Sequence, residues 1–293
     1  METAPGVKSR LILNLVLLLA LVALGLYVYL RPAPEENKPQ IPLTTLKRGE
    51  VDRVRVQRDT NMDMQIQKHN GTWVMSSPYH TRVDPLQVDR LLDITLATAS
   101  QKFPAESLTR YGLDPAPVVV TLNDQTFGFG SINDVTNEQY VANGGNVYLV
   151  RTYLGYNVPR DVTSLFSHKL LADNEIPDAY DFGGWKATKN DKGAWTLQGN
   201  LHTEREVTPT PNELNVWATE WNLASALSVT PYQGKPHGER VEIKFTNGSS
   251  ATFRVLSRKP DVQLLRVDEN MVYQLGPDAG GRLLDPYRVA DNS

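Results

Sequence analysis

Residues 45–290 contain one pattern of residues twice, and this internal repeat limits the fold more than any other feature of the chain. Three landmarks recur in the same order and at a nearly constant offset. They pair 70–74 with 192–196, 118–129 with 241–253, and 147–149 with 272–274. Such a recurrence is typical of a duplicated structural unit, although repeated hairpins in an ordinary β-rich protein are the alternative explanation. The sequence predicts two similar units, at 45–172 and 176–290.

Each unit has the pattern of several short strands and one main helix. Residues 51–58 and 62–68 alternate between apolar and polar side chains, which predicts strands. Asp84-Pro85 is a helix-start signal, and Pro211 opens the equivalent helix of the second unit. Apolar residues follow at helical spacing in both, as Val88, Leu91, Leu92, Thr95, Leu96 and Ala99, and as Leu214, Trp217, Ala218, Trp221 and Ala224.

Short turns between neighbouring strands favour antiparallel pairing, so we predict an α+β fold made of two similar, mainly antiparallel lobes. A helix over 158–171 is expected to close the first unit. The two tryptophans of the second helix, four residues apart, predict a bulky seam between helix and sheet rather than a cofactor site.

The N-terminal segment 11–30 is apolar, and Asn14 is its only strongly polar residue. Its length suits a single transmembrane helix, with a cleaved signal peptide as the alternative. Lys8 and Arg10 precede it, which places a tail of residues 1–10 in the cytoplasm and the rest outside it. Residues 31–44 contain four prolines and predict an extended spacer. We therefore expect a single-pass membrane protein whose bulk lies outside the cytoplasm.

Composition excludes several classes of function. The chain has 30 Lys and Arg residues against 33 Asp and Glu residues, a formal net charge of −3, so no broad basic surface is available for nucleic acid. Cysteine is absent. Disulfides, thiolate nucleophiles, cysteine-ligated zinc and iron–sulfur clusters are therefore excluded.

No motif in the sequence identifies a reactive site. None of the five histidines lies in a zinc-binding pattern. The glycines of 127–131 lack the spacing of a phosphate-binding or dinucleotide-binding loop. Asp59, Asn61 and Asp63 alternate like calcium ligands, but the glycine and glutamate of an EF-hand loop are missing. We predict no catalytic, cofactor-binding or metal-ligating residue, and we expect a protein that is not an enzyme.

The segment Tyr111-Gly112-Leu113-Asp114-Pro115 is the most distinctive in the chain. Gly112 can adopt a positive φ, and the Asp-Pro pair forces an extended exit into a strand, so the segment is interpreted as a structural connector. A partner-binding surface formed by Tyr111 and Leu113 is the alternative.

This connector, with Gly71-Thr72-Trp73 and the strands at 139–141 and 147–149, resembles the bacterial domain-of-unknown-function family 4340. The resemblance covers most of 45–290 and is weaker in the second unit, which has no clear Tyr-Gly-Leu-Asp-Pro. It implies a bacterial envelope protein, so the expected single-pass anchor would lie in the inner membrane and the bulk of the chain in the periplasm. Its relatives often accompany, or are fused to, auxiliary subunits of ABC transporters of the gliding-motility type. It implies no catalytic residues.

Together these features predict an accessory or scaffold subunit of a membrane complex, which binds another protein through its lobes. The family resemblance implies that this complex is an ABC transporter. The alternative is a module that binds a small molecule, glycan or lipid in a cleft between the lobes. Aromatic residues available for such a cleft are Trp185, Trp217, Trp221 and Tyr232.

Overall fold

The computed structural model describes residues 7–30, 40–69, 71–199 and 209–287. The chain divides into two compact units, 1–39 and 40–293. Several features considered above lie outside the described residues. They are most of the cytoplasmic tail, residues 31–39 of the spacer, Asn70 of the first turn, and His202.

The first unit contains helix α1, Val7–Leu30, which is 24 residues long. Its side chains are described over residues 12–27, and all of them are exposed. Among the described residues, no helix combines the length and the apolar character that crossing a membrane requires.

In the second unit, ten strands form an antiparallel sheet, called sheet 1. The strands are β1 (Ile41–Pro42), β2 (Arg53–Arg58), β3 (Asp63–His69), β4 (Thr72–Ser77), β5 (Thr81–Arg82), β6 (Thr98–Pro104), β7 (Val118–Leu122), β8 (Gln125–Ile132), β9 (Glu138–Asn143) and β10 (Asn146–Arg151). Helix α2, Pro85–Leu92, lies between β5 and β6, and the short helix α3, Tyr153–Tyr156, follows β10.

Eight further strands form a second antiparallel sheet, sheet 2. They are β11 (Pro177–Asp181), β12 (Trp185–Lys189), β13 (Trp195–Gly199), β14 (Ser228–Pro231), β15 (Glu239–Phe245), β16 (Ser250–Ser257), β17 (Val262–Arg266) and β18 (Met271–Leu275). Helix α4, Pro211–Leu223, precedes β14, and helix α5, Pro277–Leu284, follows β18. The mainly antiparallel α+β class predicted from the sequence is therefore confirmed.

The two sheets have the same strand order. Sheet 1 runs β1-β6-β10-β9-β8-β7-β2-β3-β4-β5, and sheet 2 runs β14-β18-β17-β16-β15-β11-β12-β13. When the two-residue edge strands β1 and β5 are set aside, the orders correspond strand for strand. Helix α2 follows strands β2, β3 and β4 (with the short β5), and helix α4 follows their equivalents β11, β12 and β13. This correspondence fits the duplication inferred from the sequence.

Side chains at matching positions make matching contacts. The Nζ atom of Lys68 lies 5.9 Å from the ring centroid of Trp73, its cross-strand partner, and Lys189 lies 5.7 Å from that of Trp195. Each pair links the end of one strand, β3 or β12, to the start of the next, β4 or β13. Each is a cation–π contact across a hairpin, which covers one face of the ring with the lysine stem.

Hydrogen bonds extend the correspondence to the loops. The Asn143 side chain donates to the Leu43 carbonyl oxygen at 2.8 Å, and the Arg266 side chain donates to the Leu170 carbonyl oxygen at 2.8 Å. Asn143 ends β9 and Arg266 ends β17, the equivalent strand. Leu43 and Leu170 are therefore equivalent positions, each buried beside the edge of its sheet.

One continuous hydrophobic core runs through residues 43–284 and joins both sheets. Helix α4 is fixed at its start by a reciprocal capping box between Thr210 and Glu213. Trp217 and Trp221 are fully buried, and both indole N–H groups donate to the Leu283 carbonyl oxygen, at 3.1 and 3.0 Å. The predicted helix–sheet seam is thus confirmed.

Two predicted helices are wrong in their extent. Helix α2 ends at Leu92, a 3-10 turn follows to Leu96, and the chain is already in β6 at Ala99. Leu96, expected in the buried stripe, is 64% exposed. Residues 158–171 form one 3-10 turn, Thr163–Leu165, and no longer helix. Phe166, which follows the turn, is instead paired with Val83 in an antiparallel bridge.

Candidate functional site

A group of buried ionisable side chains brings together residues of both sheets. It consists of Arg82, Glu175, Arg266, Glu269 and Tyr273, called here the buried charge cluster. The exposed fractions of its four charged side chains are 11%, 15%, 3% and 6%, in that order. Sheet 1 supplies the first residue, the segment between the sheets supplies the second, and sheet 2 supplies the rest.

Arg82 is the residue that reaches from sheet 1 into the second half of the chain. Its Nε atom donates to the Glu269 carboxylate. Its Nη2 atom donates to the carbonyl oxygens of Lys169 and Leu170, at 2.9 and 3.1 Å, and to the Tyr273 hydroxyl at 2.9 Å. The guanidinium therefore binds both the connecting segment and sheet 2.

Arg266 makes the second set of contacts. It donates to both carboxylate oxygens of Glu175, and to the half-exposed Asp268. The Glu269 carboxylate, in turn, accepts from the Tyr273 hydroxyl at 2.6 Å and from the Thr81 hydroxyl at 3.2 Å. Two guanidinium groups and two buried carboxylates thus neutralise each other.

This pairing sets the protonation states in the cluster. Burial alone would raise the pKa of Glu269, but the positive charges of Arg82 and Arg266 outweigh it and hold that pKa below its usual value. The pKa of Glu175 is likewise lowered, since hydrogen bonds and charge from Arg266 outweigh its burial. Burial raises the pKa of Tyr273. All four carboxylate and guanidinium groups are therefore charged at neutral pH.

A cavity of about 340 Å³ lies beside the cluster. Arg82, Trp73 and Pro85 line it from the first half of the chain, and Ser167 and Lys169 line it from the connecting segment. Its volume lies at the lower end of the range for small-molecule sites. Arg82 is thus shared between the cluster and the cavity wall.

The sequence did not single out this cluster, because its residues come from three distant segments and form no motif. Tyr273 lies in a repeated landmark, 272–274, but the repeat by itself does not indicate a polar partner. The available signal was the pair of charges at Arg266 and Glu269, which follow a run of buried apolar residues in β17.

The connector at 111–115 has a structural role. Tyr111 and Leu113 are each 6% exposed, so the alternative that they form a partner-binding surface is wrong. They pack on β8 at Gly130, where a Cβ would lie 2.8 Å from Leu113 Cγ and would overlap the Tyr111 carbonyl oxygen. The glycines of 127–131 thus make room for the connector.

The aromatic residues considered for a cleft do not line one. Trp185, Trp217 and Trp221 are buried in the core, where they pack against Phe182. The Tyr232 hydroxyl lies 2.9 Å from His237 Nδ1 in a loop.

The acidic turn after β2 is held by an ion pair. Both carboxylate oxygens of Asp63 accept from Arg55, at 2.9 and 2.6 Å, which lowers the pKa of the carboxyl group. Within 7–30, 40–69, 71–199 and 209–287, no three His, Asp or Glu residues are grouped so as to hold a metal ion.

Fold and site together define a class: an α+β protein of two antiparallel sheets with one strand order, joined by a buried cluster of paired charges. The model of the family described as Domain of unknown function (DUF4340) matches residues 73–233, more than half of the chain. The chain belongs to that family. No curated protein matches it, and no solved structure does either.

Proposed function

We propose that this protein is a non-enzymatic accessory or scaffold subunit that binds another protein of a membrane complex. The observation that carries the proposal is the internal pairing of its ionisable groups. Each described carboxylate with a lowered pKa already has a partner in the chain: Arg55 for Asp63, Thr163 for Asp161, Lys186 for Asp181, Arg266 for Glu175, and Arg82 for Glu269. Perturbed groups that bind each other favour a rigid scaffold over a catalytic site.

The location in the bacterial inner membrane, with the bulk of the chain in the periplasm, is part of the same proposal. It rests on the apolar sequence of residues 11–30 and on the basic residues that precede it. An ABC transporter as the complex rests on the family resemblance alone. Extraction of native membranes at high pH tests the location, because a chain held by its N-terminal segment stays in the pellet.

The test of binding is affinity purification of the tagged full-length protein from native membranes in mild detergent, read by quantitative mass spectrometry. A form lacking residues 1–30, exported to the same compartment, is the matched control. Recovery of a stoichiometric membrane protein by the full chain supports the proposal. Recovery by both forms would place the contact within 31–293, and recovery by neither would contradict a constitutive subunit.

A second candidate function is the binding of a small molecule, and the cavity beside Arg82 is the observation that favours it. A ligand that binds only the folded state stabilises it by RT ln(1 + [L]/Kd), so the melting temperature rises with ligand concentration. Thermal-shift screening against envelope metabolites and glycans tests this candidate. A hit should disappear in Ser167→Trp, which fills the cavity, and should persist in Lys244→Glu.

A further inference from the structure

Because the two sheets are equivalent, the surroundings of Tyr273 in sheet 2 can be compared with those of Tyr148 in sheet 1, and they differ. In sheet 2, a cation, a carboxylate and a tyrosine form a triad: Arg82 donates to Glu269, and Tyr273 donates to the same carboxylate at 2.6 Å. Tyr273 lies in β18, opposite Leu264 of β17. The triad is closed because sheet 1 supplies the arginine from its edge strand β5.

Tyr148 occupies the matching position in sheet 1. It lies in β10, the equivalent of β18, opposite Val141 of β9. On its other side it is paired with Lys102 of β6, and the Lys102 Nζ atom lies 5.5 Å from its ring centroid. A cation and a tyrosine are therefore present here too.

The carboxylate has no counterpart in sheet 1. Four residues, 267–270, connect Arg266 to β18 and include Glu269, whereas only Gly144 and Gly145 connect the equivalent strands β9 and β10. Within the described part of the chain, no carboxylate lies within ion-pair distance of Lys102. No hydrogen bond joins the Tyr148 hydroxyl to a described residue either.

The space beside Lys102 and Tyr148 in sheet 1 is open to solvent. A cavity of about 700 Å³ is lined by Lys102, Asn143, Gly144 and Tyr148, and by residues 41–45. Asp124 stands at its wall, 93% exposed, with its carboxylate 3.5 Å from Arg53. In sheet 2, the equivalent turn is contacted by the extended strand β5, whose Thr81 and Arg82 side chains donate hydrogen bonds to Glu269.

We propose that this cavity is the docking site for an extended acidic segment of the partner protein. A glutamate or aspartate of that segment takes the place that Glu269 has in sheet 2, and it accepts hydrogen bonds from the Lys102 ammonium and the Tyr148 hydroxyl. An acidic residue complements Lys102, which is the one cation among the described residues that line the cavity. Asp124 of the wall points to solvent and shares Arg53 with Asp52. This assignment rests on the proposed function and names its contact surface.

The probes are two fluorescein-labelled peptides of residues 77–84, the segment that contains β5. One carries Arg82→Glu and the other carries Arg82→Gln, so they differ by one charge. Fluorescence anisotropy with the full chain is expected to show at least about tenfold tighter binding of the glutamate peptide, since one charge-assisted contact is gained. In the Lys102→Glu chain this preference disappears.

Lys244→Glu is the control, because it makes the same charge change at an exposed position of sheet 2. It should keep the preference, and circular dichroism should show that both variants are folded. Equal binding of the two peptides, no binding of either at millimolar concentration, or a preference that survives Lys102→Glu overturns the assignment. A Lys102-dependent dimer in sedimentation velocity also overturns it, since the occupant would then be a second copy.

The outcome is separable from that of the proposed function. If the full chain recovers a membrane protein but the peptides show no charge preference, the accessory role stands and the partner binds elsewhere. If the peptides bind as expected but no protein is recovered, the docking site at Lys102 and Tyr148 is supported, and the proposed role as a constitutive subunit is contradicted.

Discussion

Substitution of Glu269 by glutamine tests the buried charge cluster most directly, because it removes one negative charge and keeps the side-chain volume. The carboxylate accepts hydrogen bonds from Arg82, from the Tyr273 hydroxyl at 2.6 Å and from the Thr81 hydroxyl at 3.2 Å. In the variant, two guanidinium groups face Glu175 as the one remaining buried carboxylate of the cluster.

The expected loss of unfolding free energy is large for a single substitution. Removal of one partner from a buried ion pair costs about 3–5 kcal/mol of unfolding free energy, because the other charge stays desolvated. In a folded unit of this size each kcal/mol lowers the melting temperature by roughly 2–4 °C, so a decrease of about 6–20 °C is expected.

Urea denaturation measures the loss of unfolding free energy. The distribution of tryptophans also allows the unfolding of the two halves to be distinguished. Four of the five, Trp185, Trp195, Trp217 and Trp221, lie in the half that contains sheet 2. Tryptophan fluorescence therefore reports mainly on that half, and far-ultraviolet circular dichroism reports on both. If the cluster joins the two halves, the two signals coincide in the wild type and separate in Glu269→Gln.

Asp63→Asn is the matched control. It removes one charge from a bidentate pair with Arg55 in which both side chains are 44% exposed, so a loss below about 1 kcal/mol is expected. Equal losses in the two variants would refute the reasoning. In addition, the double variant Arg82→Met, Glu269→Met should lose less than the sum of its single substitutions, since it leaves no unpaired partner.

Three further outcomes follow from the structure. The pKa of Glu269 is lowered in the folded state, so its contribution is complete above the unfolded pKa of about 4.3 and is lost as pH falls. The difference in melting temperature between wild type and Glu269→Gln should therefore shrink between pH 5 and pH 3. Gly130→Ala should cost about 1–3 kcal/mol or prevent folding, because its Cβ overlaps the Tyr111 carbonyl oxygen, whereas Gly49→Ala, with open space around it, should change stability by less than about 1 kcal/mol. Thr210→Ala removes the helix cap and should cost about 1 kcal/mol in thermal denaturation.

Local patterns in the sequence were sufficient to predict the sheets and helix α4. Alternating residues in β3 bury Met64 and Ile66, and the stripe of α4 buries Trp217 and Trp221, as their spacing indicates. These predictions succeed because each depends on neighbours within one element. The helix expected over 158–171 fails because its apolar residues are buried by contacts with distant parts of the chain, as the bridge between Val83 and Phe166 shows.

The cluster could not have been predicted in the same way. Arg82 and Glu269 are brought together only when two complete sheets have formed and packed. Before that, each is an ordinary charged residue near a turn, and surface exposure is the better expectation. The open site at Lys102 and Tyr148 is less visible still, since it is defined by comparison with its counterpart in the other sheet.

The turn that carries Glu269 differs in length from its counterpart in sheet 1, and this difference bears on how the chain evolved. In a chain that arose by duplication, the two copies of this turn began alike, and one is now two residues long while the other has four. The longer copy carries Glu269, whose partner Arg82 lies in the other half, so this pair joins two halves that a single-unit ancestor did not have. Asn143 makes the same backbone contact as Arg266 with a smaller side chain, and the short turn follows it. A single-unit relative is expected to have the short turn and the asparagine.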